Sequence, residues 1–276
     1  MIFRTHIPGP PLDAFVSLIW YYQGFAKPHA KERMMPTGGT SLVINLVEDR
    51  IRTYDRCDPD KMHELGGAVL VGAQSEYFII DTAEQLEVAG VEFKPGGAFP
   101  FFRPPAEEMA NQHVSLDALW DGFADEMREQ ILEAHLPEQK LRILERTLLA
   151  RLAKPLVRHP AICFAIGQLS RGPWLSVSEI SQRIGLSRRR FTQLFQAEVG
   201  LTPKVFSRVQ RFQCAVKRIQ AAKITGIINW ADFALDCGYY DQAHLIHDFT
   251  RISGLTPNSY LTVADRASGN HVPLAG

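Results

Sequence analysis

One pattern of glycine, proline and aromatic residues occurs twice in the last third of this 276-residue chain. Gly185-Leu186-Ser187, Phe195, Gly200-Leu201-Thr202-Pro203 and Phe206 recur as Gly238, Phe249, Gly254-Leu255-Thr256-Pro257 and Tyr260. Such a repeat means two equivalent folded units. From the aromatic residue to the next glycine the spacing is five in both copies, whereas from the first glycine to that aromatic residue it is ten in one and eleven in the other. The extra residue belongs in a turn, because inside a helix it would rotate every later side chain by about 100°.

Each copy reads as helix, tight turn, helix. In the first, Val177, Ile180 and Ile184 form an apolar stripe, Gly185 supplies the turn, and Ser187 caps a helix whose Phe191, Leu194 and Phe195 face inward. The remaining face presents Arg188, Arg189, Thr192 and Gln193, which suit guanine acceptors and adenine edges in a major groove. Arginines at a helix start oppose the helix dipole, so the run Arg188-Arg189-Arg190 is better explained by a phosphate or base partner than by solvent. In the second copy Trp230, Phe233, Ala234 and Cys237 pack inward, Asp241 caps, and Gln242, Ala243, Ile246 and His247 form the outer face. Trp174 and Trp230, near the starts of corresponding helices, read as core anchors.

Residues 203–222 join the units as one helix, with Val205, Val209, Phe212, Val216 and Ile219 in a continuous stripe and Lys204 and Arg208 as candidate phosphate contacts. Twenty helical residues span ~30 Å, close to the ~34 Å of one DNA turn, so the two outer faces match successive major grooves.

The charge distribution agrees. The chain is neutral overall, but residues 1–169 carry 17 lysines and arginines against 23 acidic residues, and residues 170–262 carry 12 against 6. A basic module beside an acidic one attracts phosphate without making the whole protein a nonspecific polycation. The cysteines, Cys57, Cys163, Cys214 and Cys237, show no C-x-x-C pair, which excludes a zinc cluster and a disulfide framework of the usual spacing. No apolar leader opens the sequence, and no apolar run reaches membrane-spanning length. A cytoplasmic protein without membrane contact is expected.

Upstream, residues 41–47, 68–71, 77–80 and 86–93 read as short strands bounded by Gly, Asp and Pro turns. Ser115 then caps a helix bearing Leu116, Leu119, Trp120, Phe123, Met127 and Ile131, and a second helix covers 137–153. The expected fold is α+β with two domains: an N-terminal β-barrel or cupin-like domain with a helical segment over 1–153, a linker at 154–160, an all-α double helix-turn-helix domain over 161–262 and a flexible tail from 263. Trp20, Tyr21, Tyr22, Phe93, Phe101 and Phe102 fit core packing better than a ligand pocket. His6, His29, His63 and His113 are scattered, only His63-Glu64 being adjacent, and neither a nucleophile elbow nor a phosphate-binding glycine loop occurs. No enzyme, metal or cofactor is expected.

Residues 161–261 resemble the AraC/XylS family of bacterial transcriptional regulators. The likeness rests on Ser178-Glu179-Ile180, Gly185-Leu186-Ser187, Phe191 and Phe195, Gly200-Leu201-Thr202-Pro203, Gly238-Tyr239 and Gly254-Leu255-Thr256-Pro257. It implies base contacts by Arg189, Thr192 and Gln193. The second recognition helix departs from the family, with His247 and Thr250 where Arg and Lys usually flank the buried Phe. Residues 1–150 resemble a barrel-like domain that accompanies such modules, through Met35-Pro36, Gly38, Gly72, Gln74, Gly90-Val91, Phe93, Pro95-Gly96-Gly97-Ala98, Leu116 and Trp120. The implied function is sequence-specific regulation of transcription on double-stranded promoter DNA. RNA polymerase, a small-molecule effector and a second copy of the chain are the further partners open to such a regulator.

Overall fold

The structure, a computed structural model, describes residues 1–25, 30–170, 175–222, 229–263 and 270–274; His29 and Trp174 lie outside the described residues. The first half is strand-rich. It runs β1 (Ile2–His6), β2 (Val16–Gln23), β3 (Lys31–Met34), β4 (Ser41–Asn45), β5 (Arg50–Tyr54), β6 (Met62–Gly66), β7 (Ala68–Val71), β8 (Phe78–Asp81), β9 (Glu87–Phe93), α1 (Ala106–Met109), β10 (His113–Ser115), α2 (Leu116–Trp120), α3 (Phe123–Glu133) and α4 (Pro137–Ala150). The helical half follows as α5 (Pro160–Leu169), α6 (Val177–Arg183), α7 (Arg188–Val199), α8 (Pro203–Ala222), α9 (Trp230–Asp236), α10 (Gln242–Ser253) and α11 (Pro257–Val263), before β11 (His271–Pro273).

Two antiparallel sheets form, ordered β1-β2-β9-β4-β7-β10 and β11-β3-β8-β5-β6. Strand alternation divides the first sheet into two faces. Ile19, Tyr21, Leu42, Ile44, Leu70, Ala89, Val91 and Phe93 lie on the face covered by α2, α3 and α4, whose Leu116, Trp120, Met127, Ile131, Leu141, Leu144 and Leu148 complete the largest core. Phe101 and Phe102 join it, so four of the six aromatic residues singled out in the sequence are core. Trp20 and Tyr22 sit on the opposite face, half-buried.

The helix expected from Ser115 through Ile131 is two helices. Asp121 and Gly122 adopt φ of 54° and 80°, which end α2 and restart the chain as α3. The Trp120 indole N–H donates to the Phe101 carbonyl at 3.1 Å, so α2 ends where its tryptophan is anchored in the core. Strands β1, β3 and β6 escape the sequence pattern because exposed or charged residues occupy at least half of their positions, and β5 because two of its five residues are arginines.

The face of the first sheet turned toward the second is packed unevenly. Ile51, Val69 and Val71, with Val43, Leu65 and Phe78, fill the space near β5, β6 and β7. At the β2/β9 end, cross-strand pairing sets Leu18 and Ser41 beside Glu92, and Trp20 and Val43 beside Gly90. The Trp20 ring lies over Gly90, where a Cβ would approach it to 2.5 Å. Burial pushes the Glu92 carboxyl up to about 7, a hydrogen bond from Trp20 opposing the shift. A carboxyl raised in the folded state contributes stability fully present below its ordinary value of 4.5 and lost as pH rises toward 7. Glu92→Gln should therefore be more stable than the parent at about pH 8, by on the order of 2 kcal/mol, and match it near pH 4. Denaturant titrations at the two pH values check this; a constant difference refutes it.

The helical half has two cores. Ile162, Ala165, Leu169, Ile180, Phe191, Phe195, Val199, Leu201, Phe206 and Val209 form one, and Phe212, Val216, Ile219, Phe233, Leu245, Phe249, Ile252 and Tyr260 the centre of the other. One stripe of α8 serves both, which makes it the shared spine. Residues 271–273, expected in a flexible tail, instead form β11 on the edge of β3, and Val272 is buried against the second core. An open sheet edge beside an apolar surface is a favourable seat for such a strand. Among the described residues no helix is long and apolar enough to cross a membrane, and no group of three or more His, Cys, Asp or Glu side chains is placed to hold a metal.

Candidate nucleic-acid interface

The second helix of each unit is set by a helix-turn-helix whose ends are fixed locally. Ser176 accepts from the Glu179 amide at 3.2 Å while the Glu179 carboxylate accepts from the Ser176 amide at 2.8 Å, closing a capping box on α6. Gly185 turns at φ 68°, a left-handed value that favours glycine, and Ser181 Oγ donates across the turn to the Leu186 carbonyl at 2.7 Å. Ser187 then caps α7 by accepting from the Arg190 amide. In the second unit Asn229 caps α9, Gly238 turns at φ 79°, and Asp241 caps α10 by accepting from the His244 amide at 2.7 Å.

Packing decides which face remains outside. Phe191, Phe195 and Val199 are buried, with edge-on contacts from Phe191 to Phe195 and from Phe195 to Phe206. Arg188, Arg189 and Gln193 stay exposed and Thr192 half-buried, on one face of α7. On α10, Leu245, Phe249 and Ile252 are buried, and Gln242, Ala243, Ile246 and His247 are exposed at the same helical offsets. Lys204 is exposed in the first turn of α8. The two faces match in position and differ in chemistry. The first offers two guanidiniums, a hydroxyl and an amide; the second an amide, an imidazole and two apolar groups.

Asp248, on the inward side of α10, organises the second unit. Its side chain is 5% exposed, and Arg208 of α8 meets it at 3.0 Å and Arg211 at 3.8 Å. His244 and His247 come within 3.5 and 3.6 Å of the same carboxylate. Arg208, a candidate phosphate contact in the sequence, is thus committed to an internal ion pair. Charge patterning held no signal for this, because the partners lie 40 residues apart.

The loop between β7 and β8 touches both units at equivalent places. Ala73 packs in the core of the first unit, and a Cβ at Gly200 would meet it at 3.5 Å and the Ala106 carbonyl at 3.0 Å. Tyr77 donates its amide to the Ile252 carbonyl at 2.8 Å, lies against Gly254, and follows Glu76, which pairs with Arg251 at 3.2 Å. Gly200 and Gly254 are the same position of the repeat. Gln210 and Gln213 of α8 also donate to the carbonyls of Thr37 and Pro36 at 2.8 and 2.7 Å. The C-terminal ends of α7 and α10 therefore rest on the strand-rich half, while their N-terminal faces stay open.

A family model described as a helix-turn-helix domain matches residues 180–262. The C-terminal module is of the AraC type. Ahead of the AraC-type module, a model described as a domain of unknown function, DUF6597, matches residues 4–115. Among solved structures, ToxT from Vibrio cholerae is similar at 8% identity over 94% of this chain and 98% of its own, with a TM-score of 0.46. ToxT of Vibrio cholerae strain SCE256 bound to an unsaturated fatty acid gives 8% identity, coverages of 88% and 93%, and a TM-score of 0.43. The AraC-like transcriptional activator CuxR gives 16% identity, 77% and 86%, and 0.19. No curated protein matches the chain in sequence.

Proposed function

We propose that this protein is a sequence-specific DNA-binding transcriptional regulator, without enzymatic activity, working in the cytoplasm. The observation that carries the reading is the open face of α7, where Arg188, Arg189, Thr192 and Gln193 stand clear of the packed core. Arg189, Thr192 and Gln193 read bases, and Arg188 and Lys204 hold phosphates. Gln242, Ala243, Ile246 and His247 enter the next major groove, spaced from the first by the 20 residues of α8. Residues 1–153 form the controlling domain, 154–160 the linker and 161–262 the DNA-binding domain, with control exerted by a small molecule or by dimerisation. The contacts of residues 36–37 and 73–77 with α8 and with both units support this division of labour.

Selection of bound duplexes from a random pool by the full chain tests the reading. A motif in two halves about one helical turn apart is expected. A motif with one half removes base reading from α10, and no enriched motif overturns the proposal.

A further inference from the structure

We propose that the space between the two sheets at the β2/β9 end binds a small organic cation, its ammonium group on Glu92 and its apolar body on the Trp20 ring. Pairing sets Leu18, Trp20 and Tyr22 of β2, Val88, Gly90 and Glu92 of β9, and Ser41 and Val43 of β4 on one face, opposite the helix-covered core. That face looks toward the second sheet, because Val43, Val69 and Val71 meet Ile51, Leu65 and Phe78 from across the gap. Leu18, Trp20, Tyr22, Ser41 and Glu92 all keep partial exposure, so the sheets do not close on them as they do around Ile51.

Charge then selects the occupant. Among the described residues, the strand positions facing this space include two carboxylates, Glu92 on β9 and Glu32 on β3, and no lysine or arginine. Glu32 is met by His271 at 2.8 Å and by Gln85 at 3.0 Å. Glu92 is held by Trp20 and meets no Lys or Arg among the described residues. A carboxylate enclosed in protein is costly without a cation, and functional sites are where such a cost is retained. The indole beside it adds a ring face for an ammonium ion, and Leu18 and Tyr22 add apolar contact. A carboxylate ligand would meet like charge here, and a neutral one would leave Glu92 uncompensated.

This inference rests on the reading of the first half as a ligand-controlled domain, whereas duplex selection by the unliganded chain tests the regulator separately. The probes are 2-phenylethylamine and phenyltrimethylammonium, compared with 2-phenylethanol and 3-phenylpropionate, each titrated against the full chain while thermal unfolding is followed at about pH 8. At least one of the two cations should raise the melting temperature, and the alcohol and the acid should not. Glu92→Gln, which removes a partly exposed charge that meets no Lys or Arg among the described residues and is expected to fold, should weaken cation binding by about tenfold or more. Trp20→Leu should weaken it by about fivefold. A shift with the alcohol or the acid equal to that with the cations, an undiminished cation response in Glu92→Gln, or no shift with either cation overturns the proposal.

Discussion

Arg189→Ala should weaken binding to the selected duplex by about 5- to 150-fold, or ~1 to 3 kcal/mol, and relax base preference at one position. Arg189 is exposed in the first turn of α7, and no ion pair or hydrogen bond to its guanidinium is formed among the described residues. Its removal costs the fold little, so the loss belongs to the complex. Lys204→Ala provides the contrast. As a phosphate contact it should weaken all sequences alike and lower the salt dependence by about one charge. Binding measured on the selected duplex and on single-base variants separates the two. Equal loss on every sequence for Arg189→Ala ends the base-contact assignment.

Asp248→Asn should destabilise the second unit by about 3 kcal/mol. The substitution keeps the side-chain shape and removes the single charge that neutralises Arg208 and Arg211, which are 20% and 19% exposed. Two enclosed guanidiniums then face each other, with His244 and His247 adjacent. Denaturant unfolding gives the magnitude, and hydrogen exchange should place the loss in α8 and α10 rather than in the strand-rich half. A cost under about 1 kcal/mol would mean that solvent screens the cluster. On the proposed reading, in which α10 enters the second groove, the same variant should lose one half of a two-part motif before the other.

The helix-turn-helix units were legible in the sequence almost to the residue. The linker helix was read as 203–222 and is Pro203–Ala222; the capping residues Ser187 and Asp241 stand where the stripes place them. These signals are local. A cap, a left-handed glycine and an apolar stripe all act within one or two helical turns, so their spacing is written directly into the chain. Strands were legible only where a short apolar run is bounded by turn residues, as at Ala68–Val71, whose four residues are all buried, and in Glu87–Phe93. Edge and charged strands such as Ile2–His6 and Arg50–Tyr54 carry no such signature, since their pairing energy comes from partners elsewhere in the chain.

Tertiary structure alone decided the rest. Arg208 reads as a free basic residue until folding brings Asp248 to it, and residues 271–273 read as tail until the open edge of β3 receives them. The contacts of Gln210 and Gln213 with Thr37 and Pro36 join residues 173 and 177 positions apart. Periodicity records which face of an element is apolar, but not which distant surface will cover it. By itself, then, the sequence determined two capped helix-turn-helix units on a common helical spine, because helix formation and turning are settled between near neighbours. Only the folded chain decided which charges are spent internally, which carboxylate is enclosed beside Trp20, and which loop bears on both units. Those outcomes follow from desolvation and close packing between segments whose spacing along the chain carries no information about their meeting.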